Sequence, residues 1–183
     1  FIGLVPVEYS AWSGHRGRGT SRTRVPGGGN REGVMSESSG IVEIQGRPVG
    51  AGHPAYLIAE IGANHNGDLE AALEMIRQAK QAGADAVKLQ SFLADELVIR
   101  SHPEYADLKK TEMPREWYEP LFRTAREEGI TLFSTATNEI TIRWMEELNF
   151  PCYKFASAHI THLPLIRYTA RLGKPMIFST GFS

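Results

Sequence analysis

Residues 56–90 read YLIAEIGANHNGDLEAALEMIRQAKQAGADAVKLQ, and this stretch decides the fold class. The apolar run 56–61 predicts a buried strand, and 86–90 predicts a second one. Between them, Asp68 is a helix-capping residue and Gly83 is a helix-ending residue. Apolar side chains recur on one helical face between these two residues, at Leu69, Ala72, Leu73, Ile76 and Ala79. A strand, a helix and a strand in this order predict two parallel strands joined by a right-handed crossover.

The same alternation continues toward the C-terminus. Further strands are predicted over 130–135, 152–157 and 175–180, with helices over 138–149 and 163–172 and a helix opened by Pro114. A long loop is predicted over 91–113. An open doubly wound sheet and an eight-stranded barrel both fit this α/β pattern, but no Gly-x-Gly-x-x-Gly turn follows the first strand, so we favour the barrel. A complete barrel takes about 250 residues, so the prediction is an incomplete (β/α)8 TIM barrel with about five strands.

The N-terminal residues differ in composition from the rest. Residues 1–34 contain five Arg and two Glu, and residues 14–33 offer almost nothing to bury. We therefore interpret residues 1–40 as a disordered or non-native extension, with a more typical sequence beginning at Met35, and residues 41–183 as the folded part. The Arg/Gly stretch has no interleaved aromatic residues, so no nucleic-acid partner is predicted. Apolar residues on either side of Gly46-Arg47-Pro48 predict a short hairpin or extended arm.

The overall composition is that of an ordinary globular protein. The chain has 183 residues, of which 42% are hydrophobic and 22% charged, with a formal net charge of −1. It contains no apolar run near the roughly 20 residues that span a bilayer and no secretory signal pattern, so we expect a cytoplasmic protein without a membrane partner. The single cysteine, Cys152, is expected to be a small buried hydrophobic side chain.

Polar side chains gather at the carboxyl end of each predicted strand. They are Glu60, Lys88, Gln90, Ser134, Thr135, Lys154, Ser157, Ser179 and Thr180. Barrel active sites lie at this end. Lysine supplies a point charge while hydroxyl and amide groups supply directed hydrogen bonds, so two such lysines predict a site for a phosphate or carboxylate. Glu60 is then the candidate for handling a proton or a sugar hydroxyl.

Five motifs carry a family resemblance. They are IAEIGANHNGD, AGADAVKLQ, FSTATNE, YKFASAHITHLPLI and GKPMIFSTG. In this order the sequence over about residues 41–183 resembles the N-terminal barrel half of the N-acetylneuraminate (sialic acid) synthase family. That family includes the pseudaminic acid, legionaminic acid and spore-coat polysaccharide synthases. The resemblance does not extend to residues 1–34.

The resemblance implies an enzyme of surface carbohydrate biosynthesis. Its members condense phosphoenolpyruvate with the open-chain aldehyde of an N-acetylated hexosamine, typically N-acetylmannosamine, to give a nine-carbon 2-keto acid and phosphate. The resemblance places Glu60 near the sugar aldehyde and a second group against phosphoenolpyruvate. That group is Lys88, Gln90, Thr135, Lys154, Ser157 and Ser179. It also implies a divalent metal, Mn or Mg, whose ligands lie outside this chain, and a homodimer for the complete enzyme.

Three alternatives stay open at this point, and the first is a sialic acid-type synthase of which this chain is an incomplete part. The chain departs from the family at His159, where an acidic residue is usual two positions after the serine of the fourth strand. Either the site lacks this carboxylate, or His159 is a substrate-binding residue that takes over the proton transfer from it. The second alternative is another synthase that uses phosphoenolpyruvate on a sugar or sugar phosphate, such as an aldoheptulosonate or octulosonate phosphate synthase. The third alternative is an inactive truncated fragment.

Overall fold

The computed structural model describes residues 40–181, so the prediction for residues 1–39 lies outside the described residues. The strands are β1 (Val42–Ile44), β2 (Arg47–Val49), β3 (Ile58–Gly62), β4 (Ala86–Gln90), β5 (Thr131–Thr135), β6 (Tyr153–Phe155) and β7 (Met176–Phe178). The helices are α1 (Leu69–Gln81), α2 (Ala94–Leu97), α3 (Tyr105–Thr111), α4 (Tyr118–Glu128), α5 (Glu139–Glu147) and α6 (Leu163–Ala170). Within residues 40–181 no helix is long and apolar enough to cross a membrane.

The main sheet contains five parallel strands in the order β3-β4-β5-β6-β7, which is the order of the chain. A doubly wound sheet reverses its strand order at a switch point. No reversal occurs in the described sheet, and every crossover adds the next strand on the same side. The sheet therefore has the winding of a barrel, and the prediction of an incomplete (β/α)8 TIM barrel is confirmed. The hairpin predicted around Gly46 is also present, as the antiparallel pair β1-β2.

The predicted helix limits agree closely with the structure where the sequence supplies a cap. Asp68 Oδ1 accepts hydrogen bonds from the backbone N–H groups of Glu70 (2.9 Å) and Ala71 (3.2 Å), so α1 begins after it. The helix expected to open at Pro114 starts with a 3-10 turn, Arg115–Trp117, before α4. Pro120 lies in the first turn of α4, where it removes no internal hydrogen bond.

The segment 91–113 is not one long loop, as the sequence predicted, because it contains α2 and α3. None of the residues of α3 is fully buried, so the helix leaves no apolar periodicity in the sequence. The two ends of the segment hold it in place instead. The Glu112 carboxylate accepts a hydrogen bond from the backbone N–H of Ala94 at 2.9 Å, while Phe92 and Met113 are buried.

The two faces of the sheet are covered differently. One face packs against the helices and forms the larger apolar core. Its strand residues are Ile61, Val87, Leu89, Leu132, Tyr153 and Phe155. These residues alternate along each strand with side chains on the opposite face, which corresponds to the inside of the barrel. The amino-terminal half of that inner face is also apolar, and the hairpin β1-β2 covers it.

Ile44 of the hairpin is the residue that covers the inner face. It is 3% exposed and packs with Ala86, Phe133 and Cys152. Cys152 is fully buried, and burial raises the pKa of its thiol to about 12, so it stays protonated, as expected of a structural cysteine. We call this buried cluster the apolar plug. Because it fills the amino-terminal end of the inner face, polar side chains on that face lie at the carboxyl end.

Arg47 ties the hairpin to the sheet. Its guanidinium pairs with the Asp85 carboxylate, donates to the backbone oxygen of Ala55 at 3.1 Å, and lies over the ring of Tyr56 with its carbon 5.3 Å from the ring centroid. The same carboxylate accepts a hydrogen bond from the backbone N–H of Leu57 at 2.7 Å. Asp85 therefore connects the hairpin to the amino-terminal ends of β3 and β4.

We predict that Ile44→Ala lowers the free energy of unfolding by about 2 to 5 kcal/mol, because a buried branched side chain is removed and a cavity remains. Urea denaturation followed by circular dichroism measures the change. Val42→Ala is the control: this strand neighbour is 42% exposed, and its truncation should cost well under 1 kcal/mol. Equal losses in the two variants would contradict the proposed plug.

Candidate active site

Five polar side chains meet at the carboxyl end of the inner face, one from each of β3, β4, β5 and β6 and one just after β7. We call them the lysine cluster: Glu60, Lys88, Thr135, Lys154 and Ser179. The strand register brings them together. Glu60 is opposite Lys88 in the pairing of β3 with β4, and Thr135 is opposite Lys154 in the pairing of β5 with β6.

Lys88 connects the first half of the cluster. Its Nζ lies 2.6 Å from Glu60 Oε2 and donates a hydrogen bond to Thr135 Oγ1 at 3.1 Å. The Lys88 side chain is 14% exposed, whereas that of Glu60 is 40% exposed. The carboxylate therefore faces the open side of the site while it neutralises the more deeply placed ammonium group.

Lys154 connects the second half of the cluster, but without a carboxylate. Its Nζ donates to the backbone oxygen of Phe155 at 2.8 Å and to Ser179 Oγ. Both acceptors are neutral. Burial and, to a smaller extent, the positive charge of Lys88 lower the pKa of Lys154, and Glu60 opposes both effects, so that the pKa is about 8. The cluster thus has one lysine with a fixed counter-ion and one without, which favours the binding of an external anion.

Gly62 makes room for this arrangement, and the sequence analysis did not single it out. The pairing of β3 with β4 is irregular between Glu60 and Gly62, and Gly62 has a φ of 57°. A Cβ atom added at Gly62 would lie 3.2 Å from Glu60 Oε1 and 3.9 Å from Gln90 Oε1. Irregular pairing of this kind commonly redirects side chains next to active sites. In the sequence, the feature that could have identified this position is a glycine two residues after the candidate carboxylate Glu60.

The remaining predicted site residues lie on two elements, Gln90 at the end of β4 and Ser157 and His159 after β6. Gln90 lies beside Glu60, because both approach the Cβ position of Gly62. Ser157 and His159 lie in a 3-10 turn, Ser157–His159, that directly follows the strand carrying Lys154. Nδ1 of His159 is buried without a hydrogen-bond partner among the described residues. Burial lowers the pKa of His159, and the neighbouring charge of His162 lowers it further.

Ser134 is not brought to the cluster, although the sequence analysis placed it among the substrate-binding residues. It precedes Thr135 on β5, so its side chain lies on the opposite, helix-covered face. It is fully buried, and its Oγ lies 2.7 Å from Ser91 Oγ. Thr137 adds to this contact by donating to the backbone oxygen of Ser91 at 3.0 Å. These hydroxyls fasten the ends of β4 and β5 to each other behind the site.

The loop Asn64-His65-Asn66-Gly67 is a tight turn between β3 and α1. Asn64 Nδ2 donates to the backbone oxygen of Ile61 at 2.8 Å, and Asn66 and Gly67 have φ values of 50° and 79°. A Cβ at Gly67 would lie 2.6 Å from the backbone oxygen of Lys110. His65 is 1% exposed and meets Trp117 edge-on, with ring centroids 5.4 Å apart. The loop therefore fixes the long 91–117 segment against the first βα turn.

Comparison with known proteins identifies the family. The profile of the NeuB family matches residues 75–183, which include both 3-10 turns and four of the five strands of the main sheet in full. The chain belongs to the NeuB family. The resemblance seen in the sequence is thereby confirmed.

Relatives of this chain are named as a biosynthesis protein and as a synthase. Over 149 residues it is 38% identical to the Spore coat polysaccharide biosynthesis protein SpsE of Bacillus subtilis, covering 75% of this chain and 40% of the relative. It is 36% identical over 149 residues to the N-acetylneuraminate-9-phosphate synthase of Homo sapiens, covering 74% and 42%. The chain therefore spans about two fifths of the length of these relatives.

A solved structure shows the same fold. It is an N-acetylneuraminic acid (sialic acid) synthetase from Leptospira borgpetersenii in complex with citrate, with a TM-score of 0.74 and 28% identity. The likeness covers 78% of this chain and 50% of the synthetase. The NeuB chain thus corresponds to part of a longer synthase fold.

We predict that Lys88→Met raises the pKa of Lys154 from about 8 toward the ordinary lysine value of 10.5. The substitution removes a like charge and leaves Glu60 free to pair with Lys154. Titration of the lysine side chains by ¹³C NMR measures the shift. Lys80→Met is the control, because Lys80 is exposed and bonded to the backbone of Gly129. An unchanged Lys154 pKa in Lys88→Met would show that the two ammonium groups do not interact.

Proposed function

We propose that this protein is a phosphoenolpyruvate-dependent, C–C bond-forming synthase of the NeuB family. Its substrates are phosphoenolpyruvate and an N-acetylated hexosamine such as N-acetylmannosamine, and its products are a nine-carbon 2-keto acid and phosphate. The pathway is surface carbohydrate biosynthesis. The names of the relatives support an enzyme that makes sugar acids. The observation that carries the proposal is that two lysines lie at one end of the sheet: Lys88, which donates to Thr135, and Lys154, which is opposite Thr135 in the strand register.

The charges of the lysine cluster suit phosphoenolpyruvate. This substrate carries a phosphate and a carboxylate, and the cluster offers two ammonium groups with hydroxyls between and beside them. Lys88 already has Glu60 as its counter-ion. The anionic substrate is proposed to act as the counter-ion of Lys154. Gln90 follows Lys88 on β4, and Ser157 follows the strand that carries Lys154. Both are proposed to complete the hydrogen bonds to the substrate.

Glu60 is proposed to act on the sugar. Its carboxylate is the more exposed partner of the ion pair, so a sugar hydroxyl or aldehyde can approach it from the open side. In the reaction, the methylene carbon of phosphoenolpyruvate forms a bond to the aldehyde carbon. Water then adds to the former enol carbon, and the tetrahedral intermediate loses phosphate to leave the keto group. The lysine cluster stabilises the negative charge of the phosphate and the carboxylate throughout.

The described residues contain no fitting metal site. Within residues 40–181, no three His, Cys, Asp or Glu side chains form a group that could hold a metal ion. We therefore derive no step through a metal from this part of the chain. The divalent ion, Mn or Mg, and the homodimer stay expectations for the complete enzyme.

Substrate binding is tested by calorimetry with phosphoenolpyruvate. Lys154→Ala should weaken binding about 10- to 100-fold, since it removes a charge-assisted contact, and the affinity of the parent chain should fall above pH 8 as Lys154 loses its proton. Ser134→Ala is the matched control, because Ser134 lies behind the site, and it should bind like the parent. Equal affinities in Lys154→Ala and the parent would exclude this site.

Turnover is tested in the complete product of the gene, with phosphate release and the mass of the sugar acid as readouts. Lys88→Ala and Lys154→Ala should each abolish the condensation with N-acetylmannosamine. A product formed only from a sugar phosphate that carries no N-acetyl group would instead identify one of the related synthases.

His159→Glu tests the departure of this chain from its family. If His159 transfers a proton to or from the sugar, the variant should lose activity, and the pH at which the parent works best should follow the lowered pKa of this imidazole. His53→Glu is the control, because His53 is exposed in the turn after β2 and lies outside the site. Higher activity in His159→Glu would show that the carboxylate, and not the imidazole, suits this position.

A further inference from the structure

Three of the six lysines of the chain are partly buried: Lys88, Lys154 and Lys174. Two of them have a carboxylate partner. Lys88 Nζ lies 2.6 Å from Glu60, and Lys174 Nζ lies 2.5 Å from Glu146. Among residues 40–181, Lys154 is held only by the backbone oxygen of Phe155 and the hydroxyl of Ser179. Because neither neutral acceptor stabilises the ammonium form as a carboxylate does, Lys154 is the partly buried lysine that most readily gives up its proton.

We propose that Lys154 is a carbonyl-reactive lysine that forms an imine with 2-oxo acids. The ligand class is a small molecule with a keto group next to a carboxylate. The inference rests on the proposed function in one respect: the keto acid made by the synthase belongs to this class. It goes beyond that function because a covalent bond to the protein is not needed for the condensation of phosphoenolpyruvate with a sugar.

The surroundings of Lys154 supply what the reaction needs. A lysine becomes a nucleophile when it is partly desolvated and lies near another cation, since both effects favour the neutral amine. Lys154 is half-buried, and the charge of Lys88 acts on it, so a substantial share of its side chain is neutral near pH 8. Lys88 and Thr135 are close enough to each other, at 3.1 Å, to bind the carboxylate of the incoming acid together.

The chemical step balances without an oxidant or a reductant. The nitrogen lone pair of Lys154 attacks the keto carbon, and the electrons of the C=O bond move to its oxygen to give a carbinolamine. One proton then moves from the nitrogen to the oxygen. The second nitrogen proton moves to the resulting hydroxyl group, which leaves as water while the nitrogen electrons form the C=N bond. The Ser179 hydroxyl, which is hydrogen-bonded to Nζ, is placed to pass these protons.

The experiment uses the 183-residue chain, pyruvate as the 2-oxo acid and sodium cyanoborohydride, which reduces the imine to a stable secondary amine. Mass spectrometry of the digested protein locates the modified lysine. We expect one modification per chain, at Lys154, formed several-fold faster at pH 8 than at pH 6.5. Preferential modification of any other lysine, or uniform labelling of all six, would overturn the inference.

Two conservative variants separate reactivity from folding. Lys154→Arg retains the charge and should abolish the specific modification, whereas Lys174→Arg alters a lysine with a carboxylate partner and should be labelled at Lys154 like the parent. Labelling of Lys154→Arg at the parent rate would overturn the inference.

Protection by inorganic phosphate keeps this inference separate from the proposed function. If phosphate slows the labelling of Lys154, the result supports both the reactive lysine and the anion site. Labelling that phosphate leaves unchanged supports the reactive lysine and counts against the anion site. Phosphate binding without labelling of Lys154 rejects the reactive lysine and leaves the anion site standing.

Discussion

The ion pair between Glu60 and Lys88 determines how the polar end of this protein is organised. Two ammonium groups in neighbouring parts of one partly buried face repel each other, and a single carboxylate cannot pair closely with both. Here the carboxylate pairs with Lys88 at 2.6 Å. Lys154 is left with neutral hydrogen-bond acceptors, and this asymmetry underlies both the affinity proposed for an external anion and the reactivity proposed for the amine.

The rest of the fold supports this pair from three sides. Below it, Ile44 and its apolar neighbours close the amino-terminal half of the inner face, so polar groups can face an open space only at the other end. Behind it, the contact of Ser91 with Ser134 fastens β4 to β5 and thereby fixes the strands that carry Lys88 and Thr135. Beside it, the left-handed Gly62 lets Glu60 Oε1 lie 3.2 Å from the position that a Cβ would take.

Much of this arrangement could be predicted from the sequence, because the βαβ period is strong and caps such as Asp68 mark where helices begin. The strand 86–90 was predicted with its observed limits for that reason. The helices α2 and α3 were missed, since α3 buries no residue fully and is held by tertiary contacts. Ser134 was assigned to the site because β5 is buried on both faces, so its sequence, TLFST, does not show the alternation that separates one face from the other.

The most direct test of the central claim maps the binding of phosphoenolpyruvate by NMR, from amide chemical shifts recorded as the ligand is added to the chain. The account predicts that the largest shifts occur at the carboxyl ends of β4, β5 and β6, at Lys88, Thr135 and the turn that contains Ser157. Shifts confined to the hairpin end, around Ile44 and Asp85, or to the outer surfaces of the helices, would contradict it.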